Sequence, residues 1–225
     1  NEKFQLQGVI TMDDAADILD AETDEDYAKF ANISSDVDVN QSVLKSAMHR
    51  LPWLALLLFL GLIISGIISS FEDTIAQITV LVFFQPLILD MAGNTGTQSL
   101  AVTVRGLSKD YFDNKSLVYK HIFKELRVGL FNGLGIGLLS FITTTIFLTI
   151  TGAGSHEPIL IALTVGLSVA TALSFASAFG AFFPLFLHKI KIDPAVASGP
   201  FITTLNDIIG LIIYFTLAAI IILNL

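Results

Sequence analysis

The sequence has no cysteine. That excludes disulfide staples and thiolate metal sites, and it leaves the redox compartment unread. Charge is scarce as well: 14% of the 225 residues are charged against 53% hydrophobic, with a mean hydropathy of +0.75. A soluble domain of this length rarely carries so little charge. No ATP-binding motif is present, and nothing points to a nucleic-acid partner. The chain starts at Asn1 without an initiator Met or a signal peptide, and it reads as a fragment whose upstream part is missing.

The net charge of -8 is unevenly placed. Eleven of the twenty acids precede residue 40, so the acidity belongs to a separate soluble segment, residues 1–40. Within it, Gly8-Val9-Ile10-Thr11 predicts a short strand. Met12 to Leu19 predicts a helix with Thr11 as N-cap. A second acid-rich stretch, Asp20 to Asp26, and a polar linker follow. Gln41 to Arg50 predicts a short helix that ends at the Arg50-Leu51-Pro52 step.

Residues 51–225 hold five apolar stretches: about 52–70, 76–104, 126–151, 159–187 and 194–225. Each is long enough to cross a hydrocarbon core of ~30 Å at ~1.5 Å per residue. The expected fold is an all-α membrane protein with five transmembrane helices per chain. All twelve Lys and Arg fall on one side of that arrangement. By the positive-inside rule the N-terminus is cytoplasmic, and with five spans the C-terminus is outside.

The spans hold two carboxylates, Asp90 and Asp207, and no Lys or Arg in their interiors. An acid in the bilayer marks a pathway or an ion site more often than a structural protonated group. Gly199, Thr203 and Asp207 are spaced by four and share a helix face. Pro200, read as interior to that helix, would leave the carbonyl of Val196 without its donor. Carbonyls beside a carboxylate suit a hard cation. In span two, Pro86, Asp90 and the polar patch Gly93-Asn94-Thr95-Gly96-Thr97-Gln98 interrupt the apolar run. Asn94 and Gln98 share a face with Asp90, which makes Asp90, Gly93, Thr95 and Gln98 possible pore-lining residues. The double GxxxG of Gly129, Gly133 and Gly137 reads as helix packing. His121, His156 and His188 read as solvated. The early acids read equally well as a solvated face and as a divalent-sensing cluster.

The stretch Gln85-Pro86-Leu-Ile-Leu-Asp90-Met-Ala-Gly93-Asn94-Thr95-Gly96-Thr97-Gln98-Ser99 resembles the MgtE signature. So does Asp193-Pro194-Ala195-Val-Ala-Ser198-Gly-Pro200-Phe-Ile-Thr-Thr-Leu-Asn-Asp207. His49-Arg50-Leu51-Pro52-Trp53 resembles that family's entry into span one. The resemblance covers essentially the whole chain. It implies a homodimeric, magnesium-selective divalent cation channel of the cell membrane, not an enzyme, with Mg2+ as its ion and a pore between the second and fifth spans. It also implies closure by cytoplasmic magnesium. Residues 1–40 would then be the remnant of a cytoplasmic CBS module, 41–50 the plug helix and 51–225 the pore domain. Any nucleotide would bind only in upstream domains. By resemblance, Asp207 is the pore carboxylate, Gly199, Thr203 and Asn94 lie near the ion, and Asp14, Asp17, Glu22, Glu25, Asp26 and Asp193 are regulatory magnesium positions. Gly199 stands where a relative has Asn, so only its backbone can contribute. The alternative within transport is a carrier that exchanges magnesium for sodium or protons. An intramembrane aspartyl protease is disfavoured, because Asp207 follows Leu205-Asn206 rather than Gly-x-Gly.

Overall fold

A computed structural model describes residues 8–30, 40–153, 158–194 and 199–222. Among these residues all regular structure is helical. The elements are α1 (Met12–Phe30), α2 (Val43–Ser70), α3 (Glu72–Gln77), a 3-10 segment (Thr79–Phe84), α4 (Gln85–Leu107), α5 (Lys115–Thr151), α6 (Pro158–Lys189) and α7 (Gly199–Ile222). Four of them, α2, α5, α6 and α7, are long and apolar enough to cross a membrane.

The first helix is set by its cap. The Thr11 hydroxyl accepts from the Asp14 amide at 3.1 Å, while the Asp14 carboxylate accepts from the Thr11 amide at 3.0 Å and its hydroxyl at 2.6 Å. This reciprocal pair satisfies the orphan donors of the first turn, as expected of Thr11. The strand expected at Gly8–Thr11 is absent, since four residues without a pairing partner do not hold a strand. Nor does the helix stop at Leu19. It runs through the acidic stretch to Phe30, where Ala21, Glu22 and Glu25 are good helix formers.

The boundary expected at Pro52 has no break either: α2 passes through it to Ser70. A proline removes one hydrogen bond, whereas non-helical backbone beside an apolar run would strand many. The connecting segment and the first span are thus one helix from Val43 onward.

The second expected span is divided. α3 and the 3-10 segment precede α4, and Pro86 sits in α4's first turn, where its missing N–H costs nothing. Tyr214 pins this divided stretch by donating its buried hydroxyl to the Leu81 carbonyl at 2.8 Å. Phe71 stacks on Phe215 with ring centroids 5.2 Å apart. The core centres on Leu81, Ile88, Val165, Val169, Leu211 and Phe215.

α6 is the hub, packed against α4, α5 and α7. The α5–α6 seam follows the double GxxxG. A Cβ on Gly129 would stand 2.6 Å from Ser177 Cβ, one on Gly137 would stand 2.6 Å from the Gly166 carbonyl, and one on Gly133 would collide with the Ala170 carbonyl. Backbone contact this close needs glycine. α5 begins at Asn114, whose side chain accepts from the Ser116 amide at 3.1 Å, and ends on Gly152 in the left-handed region at φ 63°. By contrast, α2 has no buried residue.

Candidate functional site

Of the residues singled out in spans two and five, Gly93 and Thr203 meet on the α4–α7 seam, and Asp90 lies within electrostatic reach of Asp207. Gly93 of α4 lies under Thr203 of α7, where an added Cβ would stand 2.6 Å from Thr203 Cγ2. One turn on, Gly96 lies against the Asn206 side chain, and its backbone also meets Gly180 of α6. The small residues of α4 thus let two helices close on it at one level. The polar patch interrupts the apolar run but not the helix, which is continuous from Gln85 to Leu107. The glycines serve close approach rather than a break. Gly93 itself is buried rather than open.

Asp207 is half-buried on α7, and its Oδ1 is enclosed without a hydrogen-bond partner among the described residues. Asp90 lies within electrostatic reach of it. Asp90 is exposed on α4 and accepts from the Asn94 amide group at 2.9 Å. Asn94 and Gln98 continue that exposed face, with Thr95 half-buried beside it. Gly199 is buried at the start of α7 and Thr203 is half-buried one turn later. Pro200 is the second residue of α7 as described, and residues 195–198 before it lie outside the described residues. The Val196 carbonyl lies outside the described residues.

Asn206 was not singled out by the sequence reading. It is 1% exposed, and both its amide oxygen and nitrogen lack partners among the described residues. A buried amide with both ends open is costly unless something else satisfies it. Its spacing of four from Ile202 and Gly210, both buried, was the available signal.

A second polar group was also missed. Glu125 of α5 is buried, with Oε2 3.0 Å from the Ser99 hydroxyl of α4, which also lies 2.7 Å from the Ser177 carbonyl of α6. That hydroxyl has one proton and serves one acceptor at a time. Ser177 donates to the Glu125 carbonyl at 2.8 Å. His121 is buried rather than solvated: its Nε2 lies 2.9 Å from the Thr103 hydroxyl, and Phe112 covers its ring. His188 is exposed, as expected, and His156 lies outside the described residues.

The acids expected to act in regulation are more dispersed. Asp14, Asp17, Glu22 and Glu25 are exposed on α1, and Asp193 is exposed before α7. The side chain of Asp26 lies outside the described residues. Among those residues, no three His, Asp or Glu side chains gather into a metal-holding group. Asp14 is the one whose proton affinity is visibly set: hydrogen bonds from the Thr11 hydroxyl and amide hold its carboxyl below the usual range.

Fold and seam define a class, a multi-pass helical membrane protein with carboxylate, amide and hydroxyl groups along one helix seam. Residues 85–217, which contain that seam, match the family model of MgtE, a divalent cation transporter. The chain belongs to the MgtE family. It is 45% identical over 213 residues to the magnesium transporter MgtE of Bacillus subtilis (strain 168), covering 95% of this chain and 45% of that protein. It is 38% identical to the magnesium transporter MgtE of Enterococcus faecalis over 95% of this chain and 45% of the relative. The magnesium transporter MgtE of Thermus thermophilus is 33% identical, over 97% of this chain and 47% of the relative. The chain therefore spans just under half the length of these relatives.

Proposed function

We propose that the chain forms the pore of a magnesium-selective channel, built by two copies at an interface between α4 and α7 and closed by cytoplasmic magnesium. The observation that carries this reading is Asp207, whose enclosed Oδ1 has no protein partner among the described residues and which lies within electrostatic reach of Asp90. Membrane carboxylates with no Lys or Arg in the spans leave a mobile cation as the natural counter-charge.

A second copy is supported by the exposed face of Asp90, Asn94 and Gln98 and by α2, which has no buried residue. Two facing Asp207 carboxylates repel unless a cation lies between them, which favours a divalent ion. Magnesium gives up water reluctantly and prefers octahedral oxygen. The ion therefore passes largely hydrated, through water to Asp207, Thr203, Asn94 and the Gly199 backbone. In this reading α3, the 3-10 segment and α4 together make the second of five spans, with the N-terminus cytoplasmic and the C-terminus outside. The membrane potential supplies ~2.3 kcal/mol per charge per 100 mV, so entry is passive.

The deciding experiment is recording from the purified chain in planar bilayers. A channel gives unitary magnesium currents that persist without any opposing sodium or proton gradient. Currents or fluxes that vanish without such a gradient would make the protein a carrier. Mass photometry of the same sample is expected to give a dimer, and a conducting monomer would remove the two-chain pore.

A further inference from the structure

A cavity of about 350 Å³ lies away from the α4–α7 seam, between the end of α4, the connection to α5 and the first turns of α5. Lys120, Lys124 and Arg127 line it, with His121 at its back and Phe112 and Leu117 on its apolar side. The three cations follow one another at spacings of four and three, so α5 presents them on one face. All three are exposed. Among the described residues none of them has an ion-pair partner, although Asp110 and Asp113 stand in the same connection. Arg127 donates from its Nε to the Phe123 carbonyl, 3.3 Å away, and its outer guanidinium nitrogens have no partner among the described residues.

The walls have a fixed shape. His121 is buried and held by Thr103, and Phe112 packs on both His121 and Tyr111, with ring centroids 5.0 and 5.3 Å away. A Cβ on Gly106 would stand 2.7 Å from Phe112 Cε2, so the glycine lets the connection fold onto α4. The cavity also sits where α5 changes character: Lys115, Lys120, Lys124 and Arg127 precede it, and from Val128 to Thr151 the helix has no charge. That is the level of a membrane–water boundary.

We propose that this cavity binds a phosphate group, with Lys120, Lys124 and Arg127 as its counter-charges. Arg offers a fork of donors to phosphate oxygens and Lys a compact charge, so the set suits the oxygens of a phosphate monoester or diester. An anionic phospholipid headgroup and a free phosphate share this chemistry. The position at the membrane boundary, with Leu117 and Phe112 beside the cations, favours the lipid.

The test is binding of spin-labelled phosphatidylglycerol and phosphatidylcholine to the full chain in nanodiscs, with inorganic phosphate as the competing arm. The expected result is preference for phosphatidylglycerol over phosphatidylcholine, falling about fivefold for each cation neutralised in Lys120→Gln, Lys124→Gln and Arg127→Gln. The paired variant Lys189→Gln/Lys191→Gln, outside the cavity, is expected to keep the preference. Inorganic phosphate that displaces phosphatidylglycerol from the parent chain supports the phosphate site and shows that it also takes soluble phosphate, and lipid that phosphate does not displace supports the headgroup as the occupant. Preference unchanged in the triple variant would overturn the proposal. So would an equal loss in the Lys189/Lys191 variant, which would mean general surface charge. The three side chains are exposed, so the variants fold, and circular dichroism checks it.

Discussion

The Asn206 side chain of α7 lies against the α-carbon of Gly96 in α4 so closely that no side chain can be added there. The same glycine meets the Gly180 backbone of α6 from another side. Three helices are therefore gauged by one residue. Gly96→Ala is expected to destabilise the chain by about 1–3 kcal/mol, because the added Cβ would meet the side chains of Asn206 and Ile202, and both are buried. Gly135→Ala is the control, since a Cβ there meets nothing within 4 Å. Thermal unfolding in detergent should separate the two, and equal midpoints would show that the crossing tolerates a wider gap.

Asp207→Asn is expected to lower magnesium flux about a hundredfold or more while the folded assembly persists, because it removes charge-assisted contacts to the ion's water shell. Asp90→Ala is expected to cost less. Asp90 is exposed and already accepts from Asn94, whereas Asp207 Oδ1 has no protein partner among the described residues. Magnesium uptake into proteoliposomes ranks the two. Asp90→Ala as inactive as Asp207→Asn would reverse the ranking.

Much of this arrangement is legible in the sequence, and the reasons differ by residue. Long apolar runs announce membrane helices, and Gly129, Gly133 and Gly137 announce the seam to α6, because periodicity is local information. Thr11 is likewise legible as a cap, since its partner Asp14 is three residues away. Proline is ambiguous by nature. Pro86 reads as an interior break but lies in a first turn, and Pro52 reads as a stop but is passed through. His121 and Glu125 could not be placed by local pattern, and Asn206 only by its spacing of four from Ile202 and Gly210. Their burial comes from Thr103, Ser99 and Gly96, each from 18 to 110 residues away in sequence.

Asn206 separates stability from transport. Its amide is buried with no partner at either end among the described residues, so Asn206→Leu, similar in volume and without polar atoms, is expected to leave stability within about 1 kcal/mol or raise it. If that amide serves water or an ion in the seam, the same variant loses magnesium flux. Unfolding midpoints and flux measured on one preparation decide the matter. A strong drop in stability would mean the amide is satisfied inside the fold.

The α1 cap carries a pH dependence of known sign. Thr11 holds the Asp14 carboxyl below its usual range, so the folded value is lower than the unfolded one. The cap's contribution is then present above the ordinary aspartate value and is lost as pH falls through the lowered one. Thr11→Val removes the hydroxyl and is expected to move the Asp14 titration back upward. A carbon-detected NMR titration of Asp14 in both chains reads the shift, and an unchanged midpoint would remove Thr11 as the cause.

Gating by magnesium rests on differential affinity. Asp14, Asp17, Glu22 and Glu25 lie on α1, and Asp193 lies before α7, at the proposed cytoplasmic mouth. Like charges on the two segments repel when they approach. A magnesium ion held between them would cancel two charges and favour their approach, and with it closure. The ion shifts the equilibrium only as far as it binds the closed state better than the open one. Each acid neutralised removes part of that difference, so Asp14→Asn, Asp17→Asn, Glu22→Gln, Glu25→Gln and Asp193→Asn are expected to move the closing curve to higher magnesium, additively where the acids are far apart. The same variants are expected to leave the conductance of the open pore unchanged, because none lies on the α4–α7 seam. Patch recordings across a magnesium titration test both halves. Closing curves that overlay the parent's would take the sensor away from these acids, and a changed unitary conductance would place them in the ion's path instead.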